Sequence, residues 1–253
     1  MQKRGQFTLF VVLGVVLIVL VALLYVYRDA IFAPLSGTLV LPLEVQEVQD
    51  AVQTCVDDAV PTGLQVIGAQ GGYFVLPSVG YTVPTGGTVA YGFDAGKKTL
   101  PSYAVVLEQY KSYLSTVIPL CVETQDFGAL TLQTQALTAD VGDSEGLHVE
   151  VHYPVTVITA SNASYALQDS YSQDISVNFK KVYNAAETIV DALVRDPEHD
   201  NYNVYLGTGL QTAIVPVEPD YIIYIVKDPL SMIDGRPFTF RFASYYHPGS
   251  VSA

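Results

Sequence analysis

The sequence predicts an α+β protein: a single N-terminal membrane helix, then a β-rich extracytoplasmic region with about three amphipathic helices. Three observations lead there. Residues 7–27 contain no charge and no Pro. Three later stretches repeat apolar residues at helical spacing. Between and after them, Val, Thr, Ser and Tyr alternate in short runs separated by Gly, Pro and Asn, the pattern of strands and their turns.

The apolar run Phe7 to Tyr27 comes first. A helix rises ~1.5 Å per residue, so the run spans about 30 Å, the hydrocarbon thickness of a bilayer. Lys3 and Arg4 precede it in a basic leader, residues 1–6, whereas Arg28 beyond it is offset at once by Asp29. That asymmetry predicts a cytoplasmic N-terminus and an extracytoplasmic remainder at the cell membrane. A cleavable secretory signal is the competing reading. Its apolar core would be only ~7–15 residues long and would end in small residues. Here the core runs into Tyr25-Val26-Tyr27-Arg28.

Lys3-Arg4-Gly5-Gln6-Phe7, leading straight into an apolar helix, resembles the class III signal of archaeal type IV pilins and archaellins. The resemblance implies a cut near Gly5 and Gln6 that leaves the helix on the mature chain, and it covers about the first 28 residues. The chain departs from that family at Phe10, where pilins often carry Glu. The remainder resembles membrane-anchored archaeal surface proteins at Cys55, Gly71-Gly72-Tyr73 and Pro237 to Ala243. That likeness implies no activity.

Residues 28–42 read as a stalk, with Pro34, Gly37 and Pro42. Residues 43–126 read as a helix-rich α+β module and 127–253 as a β-rich module with one helix; the pair could equally form one domain. In the first, Val45, Val48, Val52, Cys55 and Ala59 share a helical stripe, which Pro61 and Gly63 are expected to interrupt. Gly71-Gly72 closes the short turn beyond. Tyr73 to Leu76, Tyr81 to Val83 and Thr88 to Tyr91 read as strands. Tyr103 to Cys121 carries the clearest helical stripe, with Pro101 at its start and Pro119 bending or ending it.

In the second module, Leu130 to Thr134 alternates and Val141 to Gly146 reads as a loop. Leu147 to Tyr153 alternates cleanly and resumes past Pro154 as Val155 to Ile158. A turn at Ser161 to Ser164 precedes a strand from Tyr165 to Ser176. Val182, Ala185, Ala186, Ile189 and Leu193 make a third helical stripe, which Asp196-Pro197 ends. Gln211 to Val215 and Tyr221 to Val226 are strands. Asp234-Gly235 turns the chain into a final strand that points Phe238, Phe240, Phe242 and Ser244 one way and Thr239, Arg241, Ala243 and Tyr245 the other.

The chain has 253 residues and a formal charge of -13. That charge argues against nucleic acid, which needs a basic face, and against charge-driven binding to anionic lipid. The lipid partner is instead a bilayer crossed by residues 7–27. Cys55 and Cys121 both fall on apolar helical stripes, so two packed helices would bring them within disulfide reach. The alternative is a pair of buried thiols. Asn162-Ala163-Ser164 is a glycosylation acceptor in a turn.

His148, Glu150 and His152 share one strand face and could ligate Zn²⁺ or a similar ion, or simply form the wet side of a half-buried strand. Asp196, Glu198 and Asp200 have the oxygen ligands that Ca²⁺ takes but lack the EF-hand Gly and terminal Glu, so a solvated acidic loop is the plainer reading. No cofactor motif and no catalytic constellation stand out. The 18 tyrosines could build contact surfaces or fill the core. The residues therefore lead to a non-enzymatic surface protein, structural or adhesive. A self-assembling pilin-like subunit with its apolar helix in a filament core and a membrane-tethered hydrolase or metalloenzyme are the alternatives.

Overall fold

The structure, a computed structural model, describes residues 41–78, 80–83, 87–143, 146–196 and 209–246. The apolar run 7–27 and the processing pair Gly5 and Gln6 lie outside them. No helix among the described residues is long and apolar enough to cross a membrane. The chain divides into two compact units, Met1–Pro42 and Leu43–Ala253, and every element below belongs to the second.

Helix α1 runs unbroken over Leu43–Ala69, straight through Pro61. The expected interruption does not occur. A mid-helix Pro costs ~3 kcal/mol, but its stripe stays buried on both sides of it, from Val45 to Ile67, and each such side chain returns ~1.5–3 kcal/mol. Gly71 at φ 76° ends the helix, and the Gly72 N–H closes the end onto the Ile67 carbonyl at 2.8 Å. Tyr73 to Leu76 then form a loop rather than the expected strand. The Gln109 side-chain oxygen accepts from the Phe74 and Val75 N–H groups at 3.1 and 3.2 Å, so neither donor is left for a sheet.

Helix α2, Tyr103–Glu123, starts on Ser102 as N-cap and also passes through its proline, Pro119. It lies antiparallel to α1. The Tyr110 hydroxyl donates to the Val60 carbonyl at 2.8 Å, while Cys55 and Cys121 form a disulfide with Cα atoms 5.9 Å apart. A Cβ on Gly63 would stand 2.6 Å from the Tyr113 ring, so this crossing needs glycine.

The large sheet joins the two halves of the sequence. Strands β1 (Gly80–Thr82), β2 (Thr88–Asp94) and β3 (Lys97–Lys98) come from before α2. Strands β10 (Gln211–Glu218), β11 (Tyr221–Ile233) and β12 (Arg236–Tyr245) come from the C-terminal part. The order is β1-β2-β12-β11-β10, with β3 on β2. The β2/β12 pair is parallel and the others antiparallel. One face carries Phe238, Phe240 and Phe242 as expected, and α1 and helix α3 (Phe179–Arg195) pack there. Phe179 meets Phe238 edge-on at 5.5 Å, Tyr183 meets Phe240 at 6.0 Å, and Gly68 lies against Phe238.

A buried carboxylate anchors α3 to this sheet. Asp228 accepts from Ser231 Oγ at 2.7 Å and from the Leu230 N–H at 3.1 Å. Ser231 Oγ in turn accepts from the Asn178 N–H at the start of α3, at 3.0 Å. Burial alone would raise the Asp228 pKa, but hydrogen bonds from Ser231, Leu230 and Asn178 and the charge of Lys181 hold it below its ordinary value.

The remaining strands form two three-stranded sheets that follow one another along the same three passes of chain, a meander with a break at mid-length. Its strands are β4 (Thr131–Thr134) with β5 (Thr138–Asp143), β6 (Leu147–His152) with β7 (Val155–Ile158), and β8 (Ser164–Ala166) with β9 (Ser170–Ile175). Residues 141–143, expected as loop, are ladder partners of Val149, His148 and Leu147. Across the break the Gln135 N–H bonds to Pro154 O at 3.1 Å and the Leu167 N–H to Val155 O at 2.9 Å. The inner face therefore keeps one period: Leu147, Val149, Val151, Tyr153, Val155 and Val157 are all buried.

Candidate functional site

The face of the large sheet opposite its helices carries a graded row structure. Paired residues in a ladder share a face. The first row is Glu218, Tyr221, Tyr245 and Asp94; the second is Val215, Ile223, Ala243 and Tyr91. The third is Ala213, Ile225 and Arg241, and the fourth is Gln211, Lys227 and Thr239. Acid and tyrosine thus grade through aliphatic side chains into cations.

The tyrosines form one cluster. Tyr221 stacks on Tyr245 at 4.8 Å between ring centroids and meets Tyr81 at 5.1 Å and Tyr91 at 6.4 Å. Tyr81 is itself buried, and Val89, Ile223 and Ala243 are buried with it. Tyr81 lies on edge strand β1, yet its hydroxyl donates to Glu218 on the opposite edge strand at 3.3 Å. Four strand spacings of ~4.8 Å would separate flat edges by about 19 Å. The sheet must therefore curl over its tyrosines, as strand twist allows.

Burial, then neighbouring Tyr221 and Asp94, push the Tyr91 phenol up to about 12. Tyr81 and Tyr245 are raised first by burial, then by Glu218 for Tyr81 and by Tyr221, Asp220 and Asp94 for Tyr245. The phenols stay protonated donors across the physiological range. An aromatic surface edged by Asp94, Glu218 and Asp220 presents π faces and acceptors together, a chemistry suited to cations.

The residues singled out from the sequence lie elsewhere. His148, Glu150 and His152 share the exposed face of β6, but each turns to a different neighbour. His148 Nδ1 is 2.7 Å from Asp174, Glu150 accepts from Ser170 Oγ at 2.9 Å, and His152 Nδ1 is 3.8 Å from Asp169. Among the described residues, no group of three or more His, Cys, Asp or Glu side chains could hold a metal ion. Asp196 caps the end of α3, while Glu198 and Asp200 lie outside the described residues. Asn162 is exposed at φ 60° in the β7–β8 turn. The same loop, through Thr159 to Ser161, walls a cleft of about 620 Å³ that Glu44, Glu47 and Asp126 also line.

Sequence reasoning missed the tyrosine cluster. The available signal was Tyr221-Ile-Ile-Tyr-Ile-Val226, apolar at every position. A strand with one wet face alternates; a run without alternation has both faces in contact with something.

The chain matches no protein-family model, no curated protein and no solved structure.

Proposed function

We propose that the chain is a membrane-anchored extracytoplasmic surface protein with a structural or adhesive, non-enzymatic role, working through the tyrosine-bearing face of its large sheet. The observation that carries this reading is the cluster of Tyr81, Tyr91, Tyr221 and Tyr245 on a face that takes no helix among the described residues. Tyrosine offers large contact area, a polar tip and little entropy to lose, which is why it is enriched in binding surfaces. The Cys55–Cys121 disulfide supports an oxidising compartment. The uncharged run 7–27 behind Lys3 and Arg4 supports an anchor with the bulk of the chain outside.

Two measurements test this. Protease added to intact cells should remove everything beyond residue 28 and leave only a short membrane-protected fragment; full protection would overturn the location. Cells carrying Tyr221→Ser should attach to surfaces or to one another several-fold less well than wild type at equal surface amounts. Unchanged attachment would overturn the role assigned to this face.

A further inference from the structure

We propose that the tyrosine-bearing face docks a second copy of this chain about a two-fold axis, each copy laying its Arg241 and Lys227 end over the other's Tyr221, Tyr245 and Asp220 end. The inference rests on the reading of this face as a contact surface and names its occupant.

The argument is charge complementarity within a single face. Row one carries Glu218 and Asp94, with Asp220 in the adjoining turn, and rows three and four carry Arg241 and Lys227. Six residues of strand separate the Tyr221 and Lys227 rows, about 20 Å at ~3.4 Å per residue, and four separate Arg241 from Tyr245, about 14 Å. Neither cation makes an ion pair with the acidic row within one chain. Lys98 pairs with Glu187 and Asp191, and Lys111 with Glu108. Arg241 and Lys227 make no ion pair among the described residues, and Arg241 is exposed. A two-fold axis inverts the row order, so acid meets base twice in one interface. It also sets a guanidinium against stacked phenol rings, the geometry of a cation–π contact.

The net charge of -13 sharpens the case. Copies of so acidic a chain repel at long range, and a productive encounter needs a patch where cations and anions interdigitate. Val215 and Ala213, exposed on β10, and half-buried Ile225 would be covered near the axis, over an Ile223 that the chain already buries. A footprint about 20 Å on a side gives a weak contact in free solution. Confinement of both copies to one bilayer raises their effective concentration and completes the association.

Zero-length carbodiimide cross-linking of the full-length chain, reconstituted in phosphatidylcholine vesicles, tests this directly. Lys227 cannot reach Asp220 or Glu218 of its own chain, so a Lys227–Asp220 or Lys227–Glu218 cross-link reports a second copy. The expected result is a dimer band containing one of these linked peptides, reduced at least tenfold in 0.5 M salt (roughly a 4 Å Debye length). Arg241→Glu alone and Asp220→Lys alone should each reduce it at least tenfold. An equal mixture of the two variants should restore it, since the carboxylate introduced at position 241 of one copy then faces the ammonium introduced at position 220 of the other. No dimer, dimers linked elsewhere, or variants that neither lose nor rescue the link would overturn the proposal. Arg241 is exposed and Asp220 half-buried, and an unchanged melting temperature with an intact Cys55–Cys121 bond certifies folding of both variants. If cross-linking fails while Tyr221→Ser still impairs attachment, the second copy is wrong and the adhesive role stands.

Discussion

The large sheet and the meander both bury tyrosine and valine but treat their outer faces in opposite ways. The meander is one-sided: its inner face runs Leu147, Val149, Val151, Tyr153, Val155, Val157, and its outer face sets His148, Glu150 and His152 in water beside Asp174, Ser170 and Asp169. The large sheet is two-sided. Phenylalanines take the helices on one face, and tyrosines with aliphatic side chains cover the other. A sheet needs only one apolar face to fold, so the second one calls for a reason. In the meander, polar cross-strand pairs fill the outer face at almost no energetic consequence. In the large sheet, the outer face is graded from acid to base, and that grading is the property we connect with docking.

Substitutions should separate the large sheet from the meander in order of size. Phe240→Ala, on the helix side of the large sheet, should cost about 4 kcal/mol in chemical denaturation. A loss under 1 kcal/mol would mean that α3 does not depend on this sheet. Tyr221→Ala, on the other face of the same sheet, should cost only about 1 to 2 kcal/mol, because the ring is half-buried. It should nevertheless abolish association, and that division between stability and binding is what distinguishes the faces. On the meander's outer face, His148→Gln should shift stability by less than about 0.5 kcal/mol, the scale of exposed pairs. A larger effect would show that this face is covered.

Titration offers a second comparison. Tyr91 ordinarily ionises at 10.0 and here is pushed up to about 12, first by burial. A raised pKa stabilises the fold fully below the ordinary value and loses that contribution as pH rises through the higher one. Tyrosinate absorbance should therefore lag in the cluster, and Tyr91→Phe should flatten the stability loss between pH 10 and 12. Asp228 shows the opposite sign. Its pKa is lowered from 3.8 despite burial, because Ser231, Leu230 and Asn178 donate to it. Its contribution is complete above that ordinary value and fades as pH falls through the lowered one, so Asp228→Asn should flatten the acid limb of the stability curve. An unchanged acid limb would show that the carboxylate is not held in its charged form.

Much of the fold was legible because its signals are local. The stripe from Tyr103 to Cys121, the alternation from Leu147 to Tyr153, the Gly71-Gly72 helix end and the Asp234-Gly235 hairpin all appear where the pattern places them. The mistaken readings share one physical cause. The local penalty of Pro61 and Pro119 predicts broken helices, and buried stripes that continue past them outweigh it. Tyr73 to Leu76 has the composition of a strand, but Gln109, far away in sequence, takes two of its amide donors. For the candidate site, each tyrosine was visible as a residue, but the cluster draws on strands β1, β2, β11 and β12.

By itself, then, the sequence determined most of the segments that become helix or strand, Tyr73 to Leu76 and residues 141–143 excepted, which faces are apolar, and that Cys55 and Cys121 lie on stripes able to meet. These properties depend on neighbours within about one turn or one pleat, and a pattern of single residues records them. Only the tertiary structure decided that β2 would lie parallel to β12, that the sheet would curl until Tyr81 reached Glu218, and that Tyr81 and Tyr91 would join Tyr221 and Tyr245 in one cluster. Those outcomes are set by contacts between residues more than a hundred positions apart, whose energies exceed local preference and leave no periodic trace in the chain.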